Sequence, residues 1–283
     1  MSHCVKQIWA VILSLALIVS CSNTAGAITI LEEKKLADKF IKMIRQQDAV
    51  MTDPIANHLV RSIGNHLVSK LDNQPFDYTF YVIDEDVFNA FASPGANIFF
   101  YRGLITALET VDELAGIVGH EIAHAASRHV SEAIDRSKWV SMGTMAGVLA
   151  GVLIGATSDG DAGASVATGA AALGQSTMLA YTRENETEAD EKGVMFLKQS
   201  CFNPKGLLSG LMKIRQSDFF GVEQIPEYFK THPGTGNRIA HLENLLEGYV
   251  PAPQKPGCPE DFRFDMVKYR LLGLYADTAS AFD

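Results

Sequence analysis

The sequence predicts an α+β fold that is mainly helical and carries a small β-sheet. Apolar residues recur at helical spacing in residues 53–71 and again in residues 112–125. Between these segments, residues 78–83 and 98–101 are rich in β-forming side chains, and the turn-forming sequence Ser93-Pro94-Gly95 separates them. A sheet of this size needs helices to cover it, so we expect it to pack beside the helix formed by residues 112–125.

The N-terminal segment has the features of a secretory signal peptide. Its apolar run, residues 8–19, has the length of a signal peptide core and is too short for a typical transmembrane helix. Residues 18–21 resemble a lipobox, which predicts a signal peptide over 1–21 and a lipidated Cys21. Alternatively, Ala25-Gly26-Ala27 resembles an A-x-A site, which predicts cleavage after residue 27. A cysteine directly after the apolar run favours the lipoprotein, and either cleavage places the mature chain outside the cytoplasm.

The first long helix is predicted over residues 53–71. Its apolar side chains repeat every four positions, and Pro54 stands in the first turn, where a proline fits without loss of a hydrogen bond. These apolar residues are Ile55, Leu59, Ile63 and Leu67.

The second helix contains the sequence His120-Glu121-Ile122-Ala123-His124, and Asp112 is its predicted N-cap. Residues four apart share one face of a helix, so His120 and His124 can present two nitrogens to one metal ion. Glu121 is then placed to take a proton from an attacking water. The alternative is a polar helix face whose histidines are solvated or hydrogen-bonded. A zinc site of this kind also requires a third protein ligand.

Two segments offer that ligand. His129 lies five residues beyond His124, a spacing that turns it away from the paired face, and we interpret it as a surface histidine or one that supports a ligand. Residues 184–190 alternate acidic side chains at the predicted start of a helix. Glu186 and Asp190 share a face there, so one can bind metal while the other accepts the free N–H of a ligating histidine. The alternative is a solvated acidic helix start.

Together, HEIAH at 120–124 and ENETEAD at 184–190 resemble the metal-binding boxes of the M48 peptidases, a family of zinc metalloproteases. The resemblance implies a zincin-like (gluzincin) fold over 28–250 and one Zn²⁺ per chain. It also implies the roles of five residues: ligands His120, His124 and Glu186, general base Glu121, and Asp190 as the partner of a ligand.

Two further segments carry the same resemblance. Residues 89–98 are similar to the family sequence N-A-F-A-x-P-G-G-x-I, with Ala96 where a second glycine is common. Residues 231–239 are similar to its H-P…R-I box. His232 is therefore expected near the metal, either donating a hydrogen bond to the oxyanion or filling a fourth coordination position; alternatively, it only holds the loop in place. Arg238 is expected to support the site or steady the same intermediate.

The predicted sheet offers a place for a polypeptide substrate. If its outer strand borders the metal cleft, an extended peptide can pair with that edge through main-chain hydrogen bonds. Asn97 and Ile98 are the predicted edge residues. Alternatively, the strands only fill the core.

Residues 139–180 contain two apolar runs rich in glycine and alanine. We predict a hairpin of two closely packed helices that covers the active site. A transmembrane hairpin and a flap that contacts the membrane are the alternatives.

Cys201 and Cys258 remain after the leader, and in an oxidising compartment they are predicted to form a disulfide; two buried thiols are the alternative. Cys258 belongs to a tail, residues 251–283, that has three prolines among its first six residues and is expected to pack on the domain. A short helix is predicted within this tail over residues 264–275.

The net charge of −9, with no basic stripe, argues against nucleic acid as the main partner. The two metal-binding motifs, the resemblance to the M48 peptidases and the predicted leader together imply a zinc-dependent endopeptidase of the bacterial cell envelope that acts on misfolded or unassembled envelope proteins. We expect it in the periplasm, anchored to the outer membrane by lipid or soluble. The alternatives are a chaperone-like protein that binds unfolded outer-membrane proteins and cleaves rarely, and a structural zinc protein.

Overall fold

The computed structural model describes residues 28–47, 49–72, 74–136, 182–217, 227–250 and 263–275. Helices surround one small sheet, which confirms the predicted α+β class. The helices described are α1 (Ile30–Gln46), α2 (Pro54–Val68), α3 (Arg102–Ala107), α4 (Val111–Ala126), α5 (His129–Arg136), α6 (Arg183–Gln199), α7 (Lys205–Ser217), α8 (Glu227–Thr231), α9 (Thr235–Leu245) and α10 (Phe264–Tyr275). The strands are β1 (Thr79–Ile83), β2 (Ala90–Ser93) and β3 (Asn97–Tyr101). The predicted leader, the predicted hairpin 139–180 and Cys258 lie outside the described residues.

The sheet has the order β1-β3-β2, with β1 parallel and β2 antiparallel to β3. The register places Phe99 between Tyr81 and Phe91, and both neighbouring rings stack on it with centroids 4.9 Å away. The sequence prediction omitted β2 because two of its four residues are alanines, which have little β propensity.

The turn between β2 and β3 has a left-handed backbone at two successive residues. Gly95 has φ 73° and Ala96 has φ 58°. Glycine adopts this conformation without steric cost, whereas alanine does not. The backbone therefore explains why a glycine is common at the position that Ala96 occupies here.

Helices cover both faces of the sheet. On one face, Phe40 and Ile44 of α1 form a small cluster with the buried aromatic rings of Phe91, Phe99 and Tyr101. On the other face, alternate strand residues join the main core with α2 and α4. These residues are Phe80, Val82, Ala90, Ala92, Ile98 and Phe100. Helix α4 is therefore buried between the sheet and the helices that follow it.

Helix α4 begins earlier than predicted. Thr110, rather than Asp112, is the N-cap, because the Thr110 side chain and Glu113 form a capping box. Asp112 lies in the first turn, where its Oδ1 accepts a hydrogen bond from the Asn203 N–H at 2.9 Å. The prediction was wrong by two residues since Glu113 stands three residues after Thr110, as the capping box requires.

Helix α10 occupies the predicted position in the tail and packs on α2 and α3. Its Arg270 Nε donates to Asp53 Oδ2 at 2.8 Å, while Asp53 Oδ1 caps α2. The tail therefore holds the beginning of α2. Cys201 follows α6, and its disulfide with Cys258 stays a prediction. Among the described helices, none combines the length and the apolar character that a bilayer crossing requires.

Candidate metal centre

Four buried side chains bring metal-binding atoms to one point. His120 and His124 lie on α4, Glu186 lies in the first turn of α6, and His232 directly follows α8. One donor atom from each lies within 4.8 Å of all the others, and each residue is 0% exposed. Within the ranges that the structure describes, this is the one group of its kind.

A close crossing of α4 and α6 aligns these residues. Neither helix has a side chain at the crossing point: a Cβ added to Gly193 would lie 3.2 Å from the backbone nitrogen of His120 and 3.3 Å from the carbonyl carbon of Gly119. Asp190 lies about one turn before Gly193 and Glu186 about two turns before it. The crossing therefore directs both carboxylates toward His120.

The donor set fits a divalent metal. The Nε2 atoms of His120 and His124 are 3.0 Å apart, and the two Glu186 carboxylate oxygens lie 3.4 Å and 3.3 Å from them, respectively. His120 Nδ1 donates to Asp190 Oδ1 at 2.9 Å, so Nε2 is the atom left to bind a metal. Two imidazole nitrogens and one carboxylate are a ligand set found in catalytic zinc sites.

The electrostatics of the site also favour a cation. Burial and the Arg238 charge lower the pKa of His120, but Asp190 and Glu186 raise it, to about 9. Burial holds the pKa of His124 well below its usual value. The carboxylates of Asp190 and Glu186 thus favour a positive charge beside His120, and a divalent cation would supply that charge.

Arg238 holds the two carboxylates in place. Its Nη1 lies 2.6 Å from Glu186 Oε2, and its Nη2 and Nε donate to Asp190 at 2.7 Å and 2.8 Å. The guanidinium is thus directed at Glu186 and Asp190, which agrees with the expectation that it supports the site; its contact with a reaction intermediate stays a prediction.

Glu121 is buried beside the donors. Within the described part of the chain, neither of its carboxylate oxygens has a hydrogen-bond partner, and His232 Nε2 lies 3.5 Å from Glu121 Oε1. Burial raises the pKa of Glu121, while His232 and His120 lower it. A buried carboxylate without hydrogen bonds lowers stability, so its presence points to a function rather than to packing.

His232 lies between the donors and the sheet. Its ring stacks on Tyr228 with a centroid distance of 4.4 Å, its Nδ1 lies 3.1 Å from Glu186 Oε1, and its Nε2 lies 3.4 Å from the carbonyl oxygen of Ala90. The residue at the start of β2 is therefore next to the site.

The predicted substrate edge requires correction. Asn97 and Ile98 belong to β3, which pairs with β1 on one side and β2 on the other. The backbone of β3 is thus already paired in both directions. The strand nearer to the donors is β2, an outer strand of the sheet that the structure describes.

His129 is buried and contacts His124. It is 3% exposed, so the surface interpretation is wrong, whereas the other interpretation, a histidine that supports a ligand, agrees with the 2.9 Å distance between its Nδ1 and Nδ1 of the candidate ligand His124. A straight helix would direct it elsewhere, but Arg128 has φ 57° and breaks α4 from α5. The sequence signal for this break is the polar pair Ser127-Arg128 before a second amphipathic segment.

Comparison with known proteins agrees with this geometry. The model of peptidase family M48 matches residues 54–246, which include all four donors and Glu121. The chain belongs to peptidase family M48. This confirms the resemblance stated from the sequence, and M48 membership implies a divalent metal at the four-donor group.

The M48 relatives include bacterial and mitochondrial proteins. The beta-barrel assembly-enhancing protease of Yersinia pestis is 29% identical over 92% of this chain and 52% of its own length, and that of Escherichia coli K12 is 28% identical over 90% and 51%. The mitochondrial metalloendopeptidase OMA1 of Bos taurus is 26% identical over 74% of this chain and 41% of its own length. The chain thus spans about half the length of the bacterial relatives it matches.

Proposed function

We propose that this protein is a zinc-dependent endopeptidase. The observation that carries the proposal is the buried convergence of His120, His124 and Glu186 beside the carboxylate of Glu121, which has no hydrogen-bond partner among the described residues. One zinc ion bound to these ligands would polarise a peptide carbonyl and lower the pKa of a water molecule. The M48 match and the names of the relatives support the same reaction class.

The side chains of the site divide the remaining work. Glu121 takes the proton of the attacking water, since no neighbouring hydrogen bond competes for its carboxylate, and passes that proton to the departing amine. His232 donates a hydrogen bond to the oxygen of the tetrahedral intermediate. Asp190 and Arg238 keep His120 and Glu186 in position through the contacts described above.

An extended polypeptide is the substrate that the sheet supports best. Strand β2 begins beside His232, so a peptide that pairs with β2 through main-chain hydrogen bonds runs past the donors. Such pairing requires several residues in extended conformation, which unfolded chains provide and folded domains do not. The proposed substrate edge is therefore β2 instead of Asn97 and Ile98 of β3.

The bacterial relatives support a place in the cell envelope. We propose that the protein acts in the periplasm on misfolded or unassembled envelope proteins. Lipidation of Cys21 would anchor it to the outer membrane; the alternative is a soluble protein cleaved after residue 27. Mass spectrometry of the mature wild-type protein and of Cys21→Ser decides this, because an unmodified wild-type N-terminus at residue 28 excludes the anchor.

Two further proposals concern segments around the site. Residues 139–180 would form a helical hairpin that covers the site or contacts the membrane, and Cys201 would be linked to Cys258. Peptide mass mapping under non-reducing conditions tests the disulfide. We expect one linked pair of peptides that contains both cysteines, and recovery of both cysteines as free thiols would contradict the linkage.

Digestion of an unfolded polypeptide such as casein tests the function. Wild type and Glu121→Gln are compared at equal, measured zinc content, because the amide keeps the size of the side chain but cannot take a proton. We expect cleavage by the wild type alone. Equal cleavage by both variants would contradict the role of Glu121, and a wild type that cleaves equally after its zinc is removed would contradict metal dependence.

A second function is favoured by the position of His232. Because its Nδ1 belongs to the four-donor group, the histidine can fill the position that a substrate or water needs. The protein would then act mainly as a chaperone-like factor that binds unfolded outer-membrane proteins and cleaves rarely. Rescue of an envelope assembly defect by Glu121→Gln would support this function, and failure of the inactive variant to rescue would exclude it.

A further inference from the structure

Helix α4 ends at Ala126, and the chain then turns so that His129, the first residue of α5, contacts the Nδ1 side of the His124 ring. The Nε2 side of that ring faces the four-donor group. We propose that His129 is a positioning residue that fixes the tautomer of His124 through a hydrogen-bond chain ending at Glu188. The inference rests on the proposed function in that it takes His124 as a ligand.

The imidazole rings of His124 and His129 are within hydrogen-bond distance of each other. His124 Nδ1 and His129 Nδ1 are 2.9 Å apart, and both side chains are buried. Each neutral imidazole carries one N–H, so at this distance one Nδ1 donates and the other accepts. If His124 is the acceptor, its proton sits on Nε2, the atom that faces the donor group, and it cannot bind a metal.

Glu188 selects the productive arrangement. Its Oε2 lies 3.3 Å from His129 Nε2, and an ionised carboxylate only accepts hydrogen bonds. Lys192 Nζ at 2.6 Å and the Ser127 hydroxyl at 3.1 Å hold the other oxygen of Glu188. His129 therefore carries its proton on Nε2, and its Nδ1 is left as an acceptor.

The consequence reaches the metal site. Since His129 Nδ1 accepts, His124 must donate from its own Nδ1, and the lone pair of His124 Nε2 points at His120 and Glu186. His120 obtains the same arrangement directly from a carboxylate, Asp190. His124 obtains it from a carboxylate one residue further away, with His129 as the link.

The turn that places His129 is itself fixed by buried groups. Arg128, with its left-handed backbone, donates from Nε and Nη2 to Glu33 Oε2 at 2.9 Å and 2.7 Å. The same oxygen accepts from the Ser131 hydroxyl at 2.5 Å, and Glu33 is only 3% exposed. The approach of His129 to His124 is thus held from α1 as well as from α6.

Three variants test the role of His129. His129→Phe keeps a planar ring but removes the acceptor. His129→Asn places an amide oxygen near the position of Nδ1, so it restores an acceptor for His124. His241→Phe is the matched control, because His241 also contacts a glutamate of α6, Glu191, at 3.0 Å, but is more than one-third exposed and lies outside the four-donor group.

The readouts are the zinc dissociation constant from chelator competition and the tautomer of His124 from long-range ¹H–¹⁵N NMR of the zinc-free protein. We expect His129→Phe to bind zinc about 10–100-fold more weakly, His129→Asn to recover most of the loss, and His241→Phe to bind as the wild type does. In the wild type, His124 should carry its proton on Nδ1.

Wild-type zinc affinity in a folded His129→Phe protein would overturn the proposal, as would a proton on Nε2 of His124 in the wild type. If His129→Phe does not fold, the wild-type spectrum and His129→Asn still decide. Failure of the wild type to bind zinc would contradict the proposed function, whereas the tautomer of His124 would still test the role of His129.

Discussion

Replacing Asp190 with asparagine removes one charge from the middle of the buried network. Asp190 Oδ1 accepts from His120 Nδ1 and Arg238 Nη2, and Oδ2 accepts from Arg238 Nε. Asparagine has one acceptor oxygen, so its NH₂ group must face a donor of His120 or Arg238. Either orientation leaves a buried N–H unpaired and weakens the hold on a metal ligand.

The expected magnitudes follow from burial. Removing one partner of a buried ion pair costs about 3–5 kcal/mol, and we expect the lower end because Arg238 keeps Glu186 as a partner. Loss of the carboxylate that orients a ligating histidine weakens metal binding about 10–100-fold. Asp190→Asn should therefore lower the free energy of unfolding by about 3 kcal/mol in the metal-free protein and also weaken zinc binding.

Urea unfolding in the presence of a chelator measures the first effect, and chelator competition measures the second. Glu191→Gln is the matched control: it makes the same change from carboxylate to amide one residue further on, at a side chain that is 53% exposed. Its free energy of unfolding should change by less than about 0.5 kcal/mol. An Asp190→Asn protein with the same urea midpoint and the same zinc affinity as the wild type would contradict the structural role of Asp190.

Two further predictions concern stability. A Cβ at Gly116 would lie 2.4 Å from the backbone nitrogen of Leu207, so Gly116→Ala should force α4 and α7 apart and cost about 2 kcal/mol in urea unfolding, whereas Gly236→Ala, with open space around it, should not destabilise. Burial alone would raise the pKa of Asp53, but hydrogen bonds from the first turn of α2 and from Arg270 lower it below 3.8. The ionised Asp53 carboxylate therefore stabilises the fold above that pH, and this stabilisation is lost as the pH falls through the folded-state pKa of Asp53. Arg270→Ala should reduce the loss of stability on acidification. The same dependence of stability on pH in this variant as in the wild type would contradict the role of Arg270.

Local sequence signals predicted the elements that depend on them. The apolar repeat located α2, and Asp53-Pro54 marked its beginning. The short helix predicted over residues 264–275 coincides with α10. For α2, one amphipathic face and the Asp53 cap determine the element, and both are visible in a short window of sequence.

The order of the sheet was not visible in such a window. Strand β3 is central because it pairs with the earlier β1 and the intervening β2 at once, and these pairings are set by packing against α1 and α4. Periodicity identifies a strand but does not say which of its edges is paired. The predicted substrate edge at Asn97 failed for this reason.

The sequence likewise predicted some features of the candidate metal site and missed others. The spacing of His120 and His124, and of Glu186 and Asp190, reveals which residues share a helix face. It does not reveal that Arg128, with its left-handed backbone, ends the helix and places His129 against His124. Such a return depends on partners distant in sequence, among them Glu33, and the sequence alone does not identify them.

The most direct test of the metal centre is an anomalous difference map at the zinc absorption edge, measured on crystals of the zinc-loaded Glu121→Gln protein. We expect one peak about 2.0–2.2 Å from the Nε2 atoms of His120 and His124 and from a carboxylate oxygen of Glu186. A peak held by other residues, or no peak at this position in a protein shown to contain zinc, would contradict the assignment of the site.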